Sequence, residues 1–379
     1  MTTNIIKFIR TIFNEEGSFI PLHEPRFRGD ERKYLLDTIN STFVSSVGPY
    51  VDRFEIMMSQ ISQTSKAIAI VNGTCALQVA LRLAGVKSGD EVITQALTFV
   101  ATANAIAYNN AEPVFLDVDQ DTMGLSPVAV EAFLEEFGDL REEGCFNKKT
   151  NKRIAACVPM HTFGFPVHLD ELLKICAKWN ILVIEDAAES LGSEYKGKHT
   201  GGFGEFGIFS FNGNKIVTCG GGGVIVTNNI ALGARAKHLT TTAKKPHPYE
   251  YVHDELGYNF RMPNLNAALA CAQLEQLPVF LNAKRNLAAE YAAFFPKEGI
   301  RFRTELPETK ANYWLMCIEL ENKKERDTFL KETNDSKVMT RPIWALMFRS
   351  PMYSHCYRDS QLNAEYLEER IVNIPSSVR

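Results

Sequence analysis

Between residue 66 and about residue 227, short β-branched runs alternate with stretches of helical spacing, and this alternation constrains the fold more than any other feature of the 379-residue chain. The runs KAIAIV, DEVIT, EPVFLDV, IAACVPM and ILVIED read as buried strands. Between them lie CALQVALRLAG, FVATANAIAYN, PVAVEAFLEEF and LDELLKICAKW, all with helical spacing. Strands separated by helical crossovers pair most readily in parallel, and a parallel sheet needs cover on both faces. The expected fold class is therefore α/β, with a mostly parallel central sheet sandwiched by helices. In such sheets ligands collect at the carboxyl ends of strands, so residues there are the first candidates for a site.

Beyond about residue 255 the pattern changes. MPNLNAALACAQLEQL, with Pro263 near the first helical position, predicts a helix, and another follows over 278–294. The strand-like YWLMCIEL, a charged helix from Lys323 to Thr333 and the strand-like KVMTRPI give a smaller C-terminal α+β domain. The expected organisation is a helical arm over 1–20, a large domain over 21–255 and a small domain over 256–379. No repeat, low-complexity tract or long linker separates the two main parts, so they should share one packed unit. In the arm, MTTNIIKFIRTIFNEEG has apolar residues at helical spacing, interrupted by Lys7 and Arg10, with no small-residue cleavage site after it. It reads as a helix packing on the body or on a partner subunit rather than as a signal peptide.

Charge excludes some partners. Lys+Arg 41 against Asp+Glu 45 leaves a formal net charge of −4, which gives no footprint for nucleic acid or an anionic membrane. The expected partner is a small molecule or another protein. The eight cysteines are scattered without a C-x-x-C pair and several lie in apolar runs. They read as reduced, buried thiols of a cytoplasmic protein, not as a disulfide frame or metal site.

Three stretches carry chemistry. In VNGTCALQVAL a strand ends, Asn72-Gly73-Thr74 turn and a helix begins. The free amides there and the Thr74 hydroxyl make either an ordinary capped helix or an anion site. ILVIED ends an apolar strand in Glu185-Asp186, and a carboxylate in that position either caps the next turn or meets a cationic group of a ligand. Lys215 comes 29 positions after Asp186, just past the strand-like FGIFSF, and is followed by the glycines Gly220 to Gly223.

A partly desolvated lysine can form a Schiff base with an aldehyde. Phosphate cup, carboxylate and lysine together describe a site for pyridoxal 5′-phosphate, with Lys215 bonded to the aldehyde, Asp186 paired with the protonated pyridine nitrogen and the phosphate near Thr74 and Ser210. Asp186 would keep that nitrogen protonated, so that the ring accepts electrons when a proton leaves an amino-acid substrate, and Lys215 would move the proton. Transfer of an amino group is the natural outcome. Phe99, in ITQALTFVATANAI, suits either stacking on a flat ring or plain core packing.

Two motifs fail on context. GFGEFG, residues 202–207, satisfies G-x-G-x-x-G but leads into a strand rather than a helix, so it reads as a loop. FNGNKIVT resembles a P-loop only loosely, because Asn214 separates Gly213 from Lys215 and Ile216 replaces the Ser/Thr. His161 and His168 lack acidic or thiol ligands at metal-binding spacing, so no metal is expected; His161 either lines the same cleft or is structural. The polar TTAKKPHPYEY reads as an exposed loop near the domain junction.

In this order, NGTCAL, TFVATANAI, EDAAESLGS, FSFNGNK, GGGGVIVTN and GYNFRMPNLNAAL resemble the motifs of the DegT-type sugar aminotransferases, over nearly all of the chain from Pro21 onward. The resemblance implies the fold-type I architecture of pyridoxal-phosphate aminotransferases, a homodimer, and amination of keto sugars carried on a nucleotide. It places cofactor attachment on Lys215, the pyridinium contact on Asp186, ring stacking on Phe99, and phosphate contacts on Gly73, Thr74 and Ser210. Asn259 of GYNF would reach the phosphate of the neighbouring subunit. The implied cofactor contacts extend to Cys75, Glu189 and Asn212, and His161, Tyr313, Arg341 and Trp344 are the candidates for reading the substrate.

Family members often carry Gln or His where Glu189 stands near the cofactor's phenolic oxygen, so a carboxylate there should be protonated or neutralised. Many also have a glutamate within the run occupied here by Gly220 to Gly223, and His in place of Asn212. The details EDAAESLGS, FNGNK, GYNFRMPNLNAAL, TRPIW and RIVNIPSS are most similar to the legionaminic-acid subgroup. That likeness implies glutamate as donor and a UDP-linked 2-acetamido-2,6-dideoxy-4-keto-hexose as acceptor, giving UDP-4-amino-4,6-dideoxy-N-acetylglucosamine. A GDP- or dTDP-linked 4-keto-6-deoxyhexose is the alternative acceptor. A pyridoxal-dependent sugar dehydratase is disfavoured by Lys215, which some such relatives replace with histidine.

Overall fold

The computed structural model describes residues 1–379. Seven strands form the central sheet: β1 (Lys66–Ile70), β2 (Glu91–Gln95), β3 (Glu112–Leu116), β4 (Ile154–Val158), β5 (Leu182–Asp186), β6 (Phe206–Ser210) and β7 (Gly223–Thr227). Their order across the sheet is β1-β7-β6-β5-β4-β2-β3. From β6 to β3 every pairing is parallel, and β7 alone runs antiparallel to both its neighbours. The helices Gly73–Leu83, Val100–Tyr108, Pro127–Phe137 and Leu169–Lys178 make the crossovers where helical spacing predicts them. All five residues of β2 and of β4 are buried, as a sheet covered on both faces requires.

A second, antiparallel sheet is built from β8 (Arg301–Phe302), β9 (Met316–Glu319), β10 (Arg341–Pro342) and β11 (Ile371–Ile374), in the order β8-β9-β11-β10. Two runs expected as full strands contribute less. YWLMCIEL starts its strand only at Met316, because Tyr313 at φ 51° leaves extended backbone. In KVMTRPI only Arg341–Pro342 joins this sheet, since Ile20 takes the hydrogen bonds of Lys337 and Met339. Both runs are extended by pattern, but pattern does not say which neighbour takes the ladder.

The N-terminal helix Thr2–Phe13 packs on its own chain: Ile5 and Ile9 are fully buried and Phe8 stacks on Phe294 with centroids 3.8 Å apart. One apolar core of 64 residues, from Ile5 to Val378, joins this helix, one face of the central sheet and the C-terminal sheet. All eight cysteines are free, and all but Cys75 are buried. No helix is long and apolar enough to cross a membrane.

Candidate active site

The carboxyl ends of β5 and β6, the start of the helix Gly73–Leu83 and residues 314–345 of the C-terminal part enclose a cavity of about 630 Å³. At one end, Asn72 caps that helix, its Oδ1 accepting the Cys75 N–H at 2.8 Å. The first-turn amides of Gly73 and Thr74 stay available to an anion, beside Ser210 at the end of β6. Close approach explains two glycines: a Cβ on Gly73 would meet Ser210 Cβ at 3.0 Å, and one on Gly223 would meet the Asn72 backbone at 2.4 Å.

Side chains alternate along a strand, so the last two residues of β5 face opposite sides of the sheet. Glu185 points away from the cavity, where the amides of Gly201, Phe203 and Gly204 each donate to it at 2.7 Å and His161 Nε2 lies at 3.1 Å. Burial alone would raise its pKa, but the His161 hydrogen bond and charge, with the Gly204 and Gly201 amides, outweigh burial and hold it below the usual value. The GFGEFG loop is thus an anion nest after all, wrapped around the chain's own carboxylate. His161 is fully buried in this cluster, its Nδ1 accepting the Val167 N–H at 3.3 Å.

Asp186 faces the cavity and is 3% exposed. Thr102 Oγ1 donates to it at 2.7 Å and the Ala188 N–H at 3.2 Å, but no cationic side chain forms an ion pair with it. Burial pushes its pKa up, and the Thr102 hydrogen bond offsets this only in part. The group is short of a cation.

Lys215 reaches in from the loop after β6. Its Nζ lies 3.2 Å from Glu189 Oε1 and 3.9 Å from the centroid of the Trp314 ring. Glu189 also accepts the Phe163 N–H at 3.0 Å. Burial raises its pKa against the opposing charge of Lys215, so the neutralising partner that a carboxylate needs at this position is the lysine itself. Trp314 is fixed in turn by its Nε1–H, which donates to the Asn214 carbonyl at 2.7 Å.

Of the residues singled out from sequence, Gly73, Thr74, Phe99, Asp186, Glu189, Ser210, Asn212, Lys215, Arg341 and Trp344 line the cavity. Phe99 is half exposed at the cavity wall rather than in the core. Four others are elsewhere. The Cys75 amide is taken by Asn72, and His161 is occupied by Glu185. Tyr313 is buried, its hydroxyl accepting the Glu305 N–H at 3.4 Å, and Asn259 is exposed on the surface with its Oδ1 accepting from Arg261 Nε at 3.0 Å. Trp314, Asn214 and Thr102 were not legible as site residues, and Asn72 of the expected turn enters as the helix cap. The spacing of His168 likewise hides its place beside Asp121, 3.1 Å away, and Asp119, 4.0 Å away.

The donor set fits pyridoxal phosphate. A buried carboxylate without a cation, an amine 12% exposed at the cavity wall, a helix start with a neighbouring hydroxyl and an exposed phenyl ring answer its ring nitrogen, aldehyde, phosphate and flat face in turn. The profile of the DegT/DnrJ/EryC1/StrS aminotransferase family matches residues 25–379. The chain belongs to this family. It is an aminotransferase, and pyridoxal 5′-phosphate is its cofactor.

Among similar family members is the putative pyridoxal phosphate-dependent aminotransferase EpsN of Bacillus subtilis, 36% identical over 362 residues, 94% of this chain and 90% of that protein. The GDP-perosamine synthase of Escherichia coli O157:H7 is 36% identical over 358 residues, covering 94% of this chain and 93% of its own. The crystal structure of the aminotransferase TlmJ from Streptoalloteichus hindustanus shares the fold, with a TM-score of 0.85 at 24% identity over 95% of this chain and 94% of TlmJ.

Proposed function

We propose that this aminotransferase moves an amino group from glutamate to carbon 4 of a nucleotide-linked 4-keto-6-deoxy sugar. The observation that carries the reading is the meeting of Lys215, Asp186 and the Gly73–Thr74–Ser210 cup in one cavity of about 630 Å³ that Trp344 and Arg341 also line. When bound, the cofactor acts as an electron sink and holds the amino group between the two half-reactions. Asp186 keeps the ring nitrogen protonated. Lys215 Nζ takes the proton from the donor's α-carbon and in the second half-reaction carries the proton that ends on sugar carbon 4. Glu189 holds Lys215 when it is free, and Phe99 covers the ring and keeps water from its face. Arg341 at the cavity wall, its Nη1 donating to Asn334 Oδ1 at 3.0 Å and the Thr340 carbonyl at 2.9 Å, has remaining donors suited to a carboxylate or phosphate, and Trp344 lines the same cavity.

The preferred acceptor is a UDP-linked 2-acetamido-2,6-dideoxy-4-keto-hexose, supported by the likeness of TRPIW, RIVNIPSS and the other motifs to the legionaminic-acid subgroup. A second reading, a GDP-linked 4-keto-6-deoxyhexose, is favoured by the GDP-perosamine synthases among the relatives. Incubation with glutamate and each ketosugar, with mass detection of the aminosugar, decides between them. Product from the UDP sugar is expected, and product from the GDP sugar alone would reject the preferred acceptor.

The working form is a cytoplasmic homodimer. Exposed Phe43, Val44, Val47, Tyr249, Tyr251 and Leu256 supply apolar surface for a partner, and the exposed Asn259 would contact the phosphate bound in the other subunit. Sedimentation should show a dimer, and a monomer with full activity would remove Asn259 from the site.

A further inference from the structure

Lys284 lies outside the cavity, on the helix Leu277–Phe294, and is fully buried. Its Nζ has no carboxylate partner. It donates instead to three backbone carbonyls, of Tyr313 at 3.2 Å, Trp314 at 3.1 Å and Ser376 at 2.5 Å. An ammonium without a counter-charge is an expensive way to hold a helix against a loop, and an apolar side chain would fill the space at lower cost. The cost must therefore be tied to what the carbonyls belong to.

Two of them belong to one strained turn, and the third, of Ser376, comes from the C-terminal segment. Tyr313 is in the left-handed region at φ 51°, a conformation that a bulky residue adopts only when its surroundings enforce it. On one side, Asn312 ties the segment to the large domain through the carbonyls of Glu189, at 2.8 Å, and Leu191, at 2.9 Å. On the other, Lys284 takes the carbonyls of Tyr313 and Trp314. The turn between these anchors aims the Trp314 ring at Lys215 and its Nε1–H at the loop carrying Lys215.

We propose that Lys284 is a positioning residue for the reaction, a buried three-carbonyl clamp that fixes the Tyr313–Trp314 turn and thereby holds the Trp314 ring against the Nζ of Lys215. It acts through Trp314 and touches neither cofactor nor substrate. Burial pushes the Lys284 ammonium down to about 7; all three carbonyls are held by the charged form, and the neutral amine keeps two of the three donors. This inference rests on the role given to Lys215 above, so its test reads Lys215 directly and needs no sugar.

The test is the rate at which trinitrobenzenesulfonate labels Lys215 in cofactor-free protein, measured by peptide mass spectrometry in wild type, Lys284→Met, Trp314→Phe and the double variant. The Trp314 ring covers the Lys215 Nζ, so each single variant should label Lys215 roughly fivefold faster, a factor in the range of one cation–π contact. The double variant should be no faster than either, because both changes remove one contact. Lys284→Gln, which restores two N–H donors, should return the rate toward wild type, and Lys284→Leu replaces the methionine variant if that one fails to fold. A wild-type rate in Lys284→Met with Trp314→Phe fast, a rate in Lys284→Gln no slower than in Lys284→Met, or effects that multiply in the double variant, would overturn the proposal. Failure to transaminate any sugar would leave these rates as they are and count against the substrate reading alone.

Discussion

Glu185 and Asp186 are neighbours at the end of one strand, both buried, and their surroundings treat them in opposite ways. Three loop amides and His161 converge on Glu185 and hold its charge. Asp186 has one hydroxyl and one amide, and burial works against its charge. The difference teaches where structure stops and function begins: a buried charge completed by its own chain is architecture, while one left incomplete at a cavity wall is a receptor for something that brings the missing charge.

The largest separation should appear in variants of the two carboxylates. Asp186→Asn should lower kcat/KM about 10³-fold, the scale of losing a preorganised electrostatic partner, while the cofactor-free protein melts at or above the wild-type temperature. Glu185→Gln should do the reverse, lowering stability by about 3 kcal/mol because an amide N–H now faces loop donors, with activity per folded molecule far less affected. Thermal melts alongside steady-state kinetics check both, and equal activity losses would erase the distinction.

Acid separates them next. The folded-state pKa of Glu185 is lowered, so its contribution is present above the unfolded value and lost as pH falls through the folded one. That of Asp186 is raised, so its contribution is present below the unfolded value and lost as pH rises through the folded one. Cofactor-free Glu185→Gln should show a flatter loss of stability in acid than wild type. Asp186→Asn should gain on wild type as pH rises from acid toward neutral, and denaturant titrations at several pH values read both slopes.

Lys284 is a third buried charge and extends the comparison to the basic side. Its pKa falls from 10.5 to about 7 on folding, so its contribution is fully present above 10.5 and lost as pH falls toward 7. Between pH 7.5 and 9 wild-type stability should rise relative to Lys284→Met by about 1.4 kcal/mol per pH unit. Parallel pH curves would mean that the ammonium is not desolvated. The smallest effect is at the cavity wall, where Phe99→Leu should weaken cofactor binding by about threefold to tenfold through lost stacking, as fluorescence titration would show.

The alternation of runs between 66 and 227 was enough to place five strands of the central sheet, and FGIFSF a sixth, because burial on both faces leaves a mostly apolar signature; Gly223–Thr227, behind the glycine run, was not read as a strand. Lys215 and Asp186 were legible for a related reason: each follows such a run, at the end where ligands bind. Trp314 was hidden because it enters the cavity from a turn whose left-handed Tyr313 no periodicity reveals. The nest around Glu185 was hidden because G-x-G-x-x-G announces an anion without saying whose. Lys284 did leave a signal. Leu277, Phe280, Leu287, Ala288 and Tyr291 are the buried face of its helix, and Lys284 sits on that face at helical spacing.

The most direct test of the central claim, that Lys215 and Asp186 are the cofactor's two anchors in this cavity, begins by reconstituting the cofactor-free protein with pyridoxal phosphate. Borohydride reduction, digestion and mass spectrometry then locate the pyridoxyl group. The account predicts one group per chain, on Lys215, and none at the remaining lysines of Lys215→Ala. A pyridoxyl group on any other lysine of the wild type, or none at all, would contradict it.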